Sequence, residues 1–305
     1  MLPGFPITGT TLNYEAIYMA KAIVEKFPMH NIVQHDGSNV EIRSKSPQDF
    51  PHSWAGEWGE DEFGLYQVLI FKGVEQVLRW IEPGRFMMGS PESEAKRGNN
   101  ELEHEVILTK GYWLADTACT QELWEAVMGE NPSNFKQGAG YPVEKVSWND
   151  CEEFLQKINS LVPELKLCLP TEAQWEYACR AGTPTPFSFG DTITTEQVNY
   201  NGNYPYAGRR KGEYRQKTVA VKSVPSNPWG LYEMHGNVYE WCSDWFDDYP
   251  ATSMVDPMGP LEGVSRVQRG GSWVSGGRFV RSAYRAGGGP SFRYDYSGFR
   301  LARGQ

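Results

Sequence analysis

The spacing of apolar residues changes character along the chain. Over residues 13–27, Ile17, Ala20, Val24 and Phe27 share one helical face and Pro28 ends the run, which predicts a short amphipathic helix. Residues 28–68 are polar, are broken by Pro47 and Pro51, and carry an acidic aromatic patch, WAGEWGEDEFGLY. Residues 1–68 therefore read as a helix-and-loop extension ahead of a main domain over 69–305. Short apolar runs at 66–71 and 74–81, with Gly73 between them, predict paired strands. The segment RFMMGSPESE reads as a strand entering an acidic loop, and 106–109 and 112–115 read as two further strands split by Lys110-Gly111.

Three helical patterns follow, each opened by a hydroxyl that can cap it. Thr120 precedes Leu123, Trp124, Val127 and Met128, and Gly129 stops the run. Ser147, with Asp150 three residues on, precedes Cys151, Phe154, Leu155 and Ile158. Thr171 and Gln174 form a capping box before Trp175, Ala178 and Cys179, with Gly182 as the stop. None is long enough to be stable unpacked, so each must lie on a shared core. Residues 183–230 are loop-rich, apart from a strand-like TVAVKSVP. Long irregular segments inside a domain are commonly functional or held by ions.

Composition narrows the function classes. The 305 residues suffice for one large domain or two smaller ones; 32 Gly and 20 Pro favour short elements and many turns over long helices. A net charge of −9 argues against a nucleic-acid surface, which needs clustered Lys and Arg. No apolar run approaches a membrane span, and MLPGFPITGTT does not read as a signal peptide. Location is the cell surface if a secretion or lipoprotein signal belongs to the full gene, and the cytoplasm otherwise. Cys119, Cys151, Cys168, Cys179 and Cys242 form no C-x-x-C pair and read as buried thiols rather than a zinc or disulfide framework. His30, His35 and His52 have no companion ligands at useful spacing and read as locally hydrogen-bonded imidazoles.

The C-terminal run 266–303 stands apart. Its ends, RGGSW and GFRLA, read as strand framework; its middle mixes Gly, Tyr, Phe, Ser, Ala, Val and Asp with neither helical nor strand period. The triplet 287–289 is no phosphate cradle, because no Lys follows it.

Taken in order, RWIEPGRFMMGSP, PVEKVSWNDCEEFL, LPTEAQWEYACRAGT, GLYEMHGNVYEWCSDWF, RGGSW and GFRLA resemble the formylglycine-generating enzyme (sulfatase-modifying factor) family over about residues 69–305. The resemblance implies that family's variant of the C-type lectin fold, an α+β fold with a twisted antiparallel sheet and short flanking helices. It also implies two thiols that bind copper. The first maps to Ser275 and the second to 277–279, where the chain has Gly, Arg and Phe, and no cysteine follows Cys242. Soft thiolates are what a Cu(I) site requires. The three-histidine iron site of the sulfoxide-forming relatives is missing as well. No catalytic residue is therefore assigned, and the expectation is a protein that is not an enzyme.

The middle of the run resembles the variable region of proteins diversified by retroelements, of the Treponema variable-protein type. In those proteins AAC codons are randomised at the adenines, which excludes Trp, Lys, Glu, Gln and Met. None of the five occurs between Val274 and Phe299. The implied ligand-binding positions are Val274, Ser275, Gly276, Phe279, Tyr284, Ala286, Gly287, Gly288, Gly289, Phe292, Tyr294, Asp295 and Tyr296, with Ser297 at the margin. The implied constant ones are Arg278, Arg281, Ser282, Ala283, Arg285, Pro290, Ser291 and Arg293, the arginines pairing beneath the surface. Each tyrosine is either a contact residue or ordinary packing on the sheet. A protein ligand is expected, bound by a monomer without a required cofactor. The enzyme family also implies a structural calcium held by Asn237 and Glu240 with the carbonyls of His235, Gly236 and Val238. The alternative is a turn closed by its own hydrogen bonds. A second family site would start at Asn199-Tyr200, with Glu213 as the nearest guess for its acid.

Overall fold

A computed structural model describes residues 31–35, 38–42 and 45–304. The helix expected over 13–27 lies outside the described residues. A hairpin of β1 (Asn31–His35) and β2 (Ser38–Ile42) precedes the main body. The first large sheet has five antiparallel strands. They are β3 (Ala55–Asp61), β4 (Gly64–Phe71), β5 (Val74–Ile81), β8 (Tyr112–Ala115) and β14 (Ala302–Arg303), ordered β14-β8-β5-β4-β3. Phe71 pairs with Val74 across a Lys72-Gly73 turn in which both residues have positive φ, the geometry a two-residue hairpin needs. Strand β3 lies in the acidic aromatic stretch read above as loop. Its alternation is masked by Glu57, Glu60 and Asp61 on a largely exposed edge, and the Arg79 guanidinium fork on Asp61, at 2.9 and 2.8 Å, ties that edge to β5.

A second sheet contains β6 (Gly84–Met88), β7 (His104–Leu108) and the short β10 (Met254–Val255), which joins β7 in parallel. The third sheet, ordered β12-β11-β9-β13, is built from β9 (Tyr239–Trp245), β11 (Arg266–Arg269), β12 (Arg285–Gly288) and β13 (Ser297–Phe299). Three of its four strands come from the C-terminal run.

Helices α1 (Gln121–Met128), α2 (Trp148–Leu161) and α3 (Glu172–Arg180) start at the expected caps Thr120, Ser147 and Thr171. Both Ser147/Asp150 and Thr171/Gln174 close full capping boxes. Helices α1 and α2 pack on the five-stranded sheet: Trp124 stacks on Phe154 at 5.3 Å, and Phe299 of β13 meets both rings edge-on. Helix α3 sends Trp175 into a second core with Tyr112, Val106, Met234 and Val267. Four cysteines are buried as expected, and Cys168 is exposed. Among the described residues no helix is long and apolar enough to cross a membrane. His52 follows its reading: its Nδ1 lies 2.9 Å from Gln67 Oε1, and burial lowers its pKa.

Two framework expectations are corrected. TVAVKSVP forms no strand. Its backbone is engaged one residue at a time, Val219 with the Asn237 side chain and Val221 with the Gly140 carbonyl, so no ladder forms. RGGSW is strand only to Arg269. Gly270 and Gly271, at φ +87° and +70°, turn the chain out of β11, and a Cβ on Gly271 would lie 2.5 Å from the Phe279 carbonyl oxygen.

Buried arginines fix the C-terminal run. Arg281 donates to Glu94 at 2.5 Å and to both Glu101 oxygens at 2.7 and 2.8 Å. Arg269 meets Glu176 and the carbonyls of Ser282, Ala283 and Tyr284. Arg285 forks onto Glu172 at 2.8 and 2.6 Å, and Arg300 onto Glu240 at 3.0 and 2.8 Å. Burial by itself would raise Glu101, but the Arg281 hydrogen bonds and charge outweigh it and hold that carboxyl below its usual range. Removing one partner strands the other charge in a dry site, which costs about 3–5 kcal/mol. Arg281→Met should therefore lower the denaturation midpoint by an amount equivalent to about 3–5 kcal/mol in chemical unfolding, and it should do so although it lies apart from the exposed face.

Candidate ligand-binding surface

Beyond the Gly270-Gly271 turn the chain runs through a short 3-10 turn (Gly277–Val280), β12 and a 289–296 loop before re-entering the sheet at β13. The backbone of this path is pinned from below. Lys145 donates its N–H to the Tyr294 carbonyl, Asn149 to Pro290, Tyr239 to Tyr296 and Asn201 to Ser275, all within 2.8–3.0 Å. Arg293 forks onto Asp150, the capping-box acid of α2, at 2.6 and 2.5 Å, tying the loop to a helix N-terminus.

On this path an aromatic strip faces outward. Tyr294 and Tyr296 stack at 4.8 Å with rings 5° from parallel; Phe292 meets Tyr294 edge-on, and Tyr296 meets Tyr239 at 6.1 Å. Farther along, Phe279 packs edge-on against Tyr284 at 5.0 Å. Phe292 is 54% exposed, Val274 40% and Tyr294 38%. Gly276, Phe279, Tyr284, Ala286, Gly287, Gly289, Asp295 and Tyr296 are also at least partly accessible.

Three positions depart from the expected placement. Ser275 is only 7% exposed, because the loop closes on itself: its N–H reaches the Ser272 carbonyl and its Oγ accepts from the Ser272 N–H. Ser297 is buried and accepts from the Gln268 side chain. At Gly288 a Cβ would lie 2.7 Å from the buried Trp241 ring, so this position has no room for a side chain. Of the expected constant arginines, Arg281 and Arg285 pair below the surface, whereas Arg278 is exposed over the Phe279 ring at 4.2 Å.

Trp273, together with residues outside the run, completes the face. Trp273 is a hub: Phe135 meets it edge-on at 5.3 Å, Tyr214 stacks on it at 6.3 Å, and its indole N–H donates to the Asp295 carbonyl. Tyr204, 68% exposed, sits against Gly276. The only sequence signal for these was the tyrosine density of the irregular 199–217 segment. Behind Phe135 lies Glu144, fully buried. One of its oxygens accepts from the Phe135 N–H and the other has no partner.

A family model described as the sulfatase-modifying factor enzyme 1-like domain matches residues 73–305. The chain belongs to the sulfatase-modifying factor family. Formylglycine-generating enzyme of Streptomyces coelicolor is 32% identical over 228 residues, 69% of this chain and 70% of that one. Serine/threonine-protein kinase pkn1 of Chlamydia caviae is 36% identical over 171 residues, and the match spans only 24% of that kinase. Among solved structures, Treponema denticola variable protein 1 superposes with a TM-score of 0.69 at 27% identity, covering 78% of this chain and 98% of that one. PvdO from Pseudomonas aeruginosa gives 0.66 at 26%, covering 82% and 99%. The fold is the α+β, C-type lectin fold of the formylglycine-generating type.

Ser275, where the resemblance would place the first thiol, has its hydroxyl engaged in its own loop. The calcium ligands implied by the family do not fit the ion here. Asn237 Oδ1 accepts from Asn199 Nδ2 at 3.1 Å and the Val219 N–H at 2.9 Å. Both Glu240 oxygens accept from Arg300, and one also from the Trp175 indole. A cation therefore already neutralises the acid, which fits the turn closed by its own hydrogen bonds. At the second family position Asn199 Oδ1 is buried and unpartnered, whereas Glu213 is exposed and paired with Arg215. Melting with and without a chelator should give the same midpoint; a fall on chelation would show that calcium binds through other oxygens.

Glu144 supplies a second check. Burial, with the nearby Asp295 charge also contributing, raises its carboxyl from 4.5 to about 7. The unfolded chain loses this proton first, so between pH 4.5 and about 7 the folded state binds more protons and stability falls as pH rises, levelling off above. Glu144→Gln should therefore gain stability relative to wild type by roughly 1–3 kcal/mol on going from about pH 4 to about pH 8, as read from unfolding midpoints.

Proposed function

We propose that this protein is a ligand-binding variable protein: it presents exchangeable side chains on a C-type lectin frame to a protein ligand, and a retroelement diversifies those side chains. The observation that carries the reading is the outward strip of Phe292, Tyr294, Tyr296 and Phe279 on a backbone that framework hydrogen bonds pin at Tyr294, Tyr296, Pro290 and Ser275. Tyrosine and phenylalanine give large contact area for few rotors, and the neighbouring glycines leave room for a partner to approach; antibody binding loops use the same chemistry. The fold shared with Treponema denticola variable protein 1 supports it.

The formylglycine-generating relatives favour a second reading, a sulfatase-modifying enzyme with a non-standard site. Copper chemistry of that kind calls on soft ligands. The chain has no cysteine after Cys242, and the mapped position is Ser275.

Two experiments separate these readings. Screening the purified protein against an array of surface proteins and re-measuring the hits with the Tyr294→Ala/Tyr296→Ala variant should show losses of about tenfold or more; unchanged affinity for every hit removes the surface assignment. Incubation with a cysteine-containing sulfatase peptide and Cu(I) should leave the peptide mass unchanged, and conversion of the cysteine would establish the enzyme instead. At the gene level, a near-identical repeat of the DNA encoding 266–303 next to a reverse transcriptase gene is the expected arrangement.

A further inference from the structure

The chain carries a net charge of −9, yet the 207–217 loop, joined to the candidate surface where Tyr214 stacks on Trp273, is strongly basic. Between residues 207 and 217 it contains Arg209, Arg210, Lys211, Arg215 and Lys217 against the single acid Glu213. This basic wall is built into the surface. Gly202 donates its N–H to the Glu213 carbonyl and Gly212 donates to the Gly202 carbonyl across the loop, Gly277 donates its N–H to the Tyr204 carbonyl, and Tyr214 stacks on Trp273. Arg209, Arg210 and Lys211 are exposed along a cleft shared with Thr194, Thr195 and Glu196, and among the described residues no ion pair neutralises them. Arg278 and Lys145 extend the positive charge along the strip: Arg278 lies over Phe279, and the Lys145 backbone carries Tyr294.

We infer that this basic wall is a constant electrostatic contact, and that the ligand is an acidic protein segment whose carboxylates meet 209–211 while its apolar side chains meet the strip. The inference rests on the reading of the strip as the binding surface and names the chemistry of its partner. Its logic is a division of labour. The wall lies outside 266–303, so it stays the same whatever side chains occupy the variable positions. Unpaired charges at a rim act mainly on encounter and orientation, raising association rates and disfavouring like-charged partners. The aromatic centre then supplies the short-range contacts that distinguish one acidic ligand from another. Asp295, half-exposed within the strip, opposes a uniformly charged polyanion such as nucleic acid lying across the centre. A protein segment with acidic flanks and an apolar middle meets no such repulsion.

The test uses the full chain and three labelled probes: poly-glutamate, the random copolymer of glutamate and tyrosine, and oligo-thymidylate DNA. The copolymer should bind more tightly than poly-glutamate, and both should weaken steeply between about 50 mM and about 0.3 M salt. The Arg209→Ala/Arg210→Ala/Lys211→Ala variant should lose about tenfold or more on both carboxylate probes, with an unchanged melting midpoint. The Tyr294→Ala/Tyr296→Ala variant should lose only the copolymer's advantage. If the triple variant binds like wild type, or poly-glutamate does not bind at low salt, the inference fails whatever the tyrosine variant does. If only the tyrosine variant is silent, the basic wall stands and the reading of the strip fails. Tighter binding of the DNA through the same three residues would overturn the inference in favour of a nucleic-acid partner.

Discussion

Four buried arginines in the C-terminal run hold the rest in place. Arg269, Arg281, Arg285 and Arg300 are all essentially inaccessible, and their carboxylate partners come from three other parts of the chain: the 90–101 loop, helix α3 and strand β9. Burying a guanidinium is costly unless nearly every N–H finds an acceptor. Here the partners are forks and carbonyls at short range, so the segment fits its groove in one register. A slip of one residue would leave both an arginine and a glutamate unpaired in a low-dielectric site. The path of 266–303 is therefore set by residues that face inward, independently of those that face out.

That independence is what an exchangeable surface requires. The outward residues are attached to a backbone whose hydrogen bonds run to Lys145, Asn149, Asn201 and Tyr239, so replacing a side chain at Tyr294 or Phe292 removes no framework bond. What it changes is local: the Tyr294–Tyr296 stack is an interaction of about 0.5–1.5 kcal/mol, small beside a stranded buried charge. Gly287 and Gly289 lie beside Phe246, Ser265 and the exposed Phe292, neighbours placed 3.1–3.2 Å from an added Cβ. Gly288 points at the core and meets Trp241, which cannot move without opening the sheet.

Local rules made the helices legible, because a hydroxyl cap, an apolar face and a terminal glycine are all encoded within a dozen residues. The same holds for β5 and β8, whose apolar runs end at clear turns. Strand β3 was hidden because it is an edge whose residues answer to solvent on one side. TVAVKSVP was misread for the opposite reason: its alternation is real, but side chains and single carbonyls supply its backbone partners. In the candidate surface, the positions came from the resemblance to retroelement-diversified variable regions, and most of them are at least partly accessible. That resemblance gave no sign that Ser275 turns inward, because that depends on a hydrogen-bonded loop of four residues. Nor did it place Tyr204, Tyr214 and Phe135 on the same face, which only tertiary packing does.

If a retroelement diversifies this surface, as proposed, the contrast between Ser275 and Tyr294 sets its limits. Both would occupy positions that codon logic leaves free, but they belong to different physical sets. A large side chain at 275 would break the Ser272–Ser275 closure and press on Tyr239, disturbing the turn that carries Trp273. Trp273 in turn orders Asp295 through its indole N–H and Tyr214 through stacking, so the damage would spread to the basic wall. At 294 any residue that keeps the backbone path is tolerated, because the carbonyl and not the ring is held. On that reading the usable repertoire would be smaller than the set of free codons. Its boundary falls where a side chain stops being a contact and becomes part of the loop that supports the contacts.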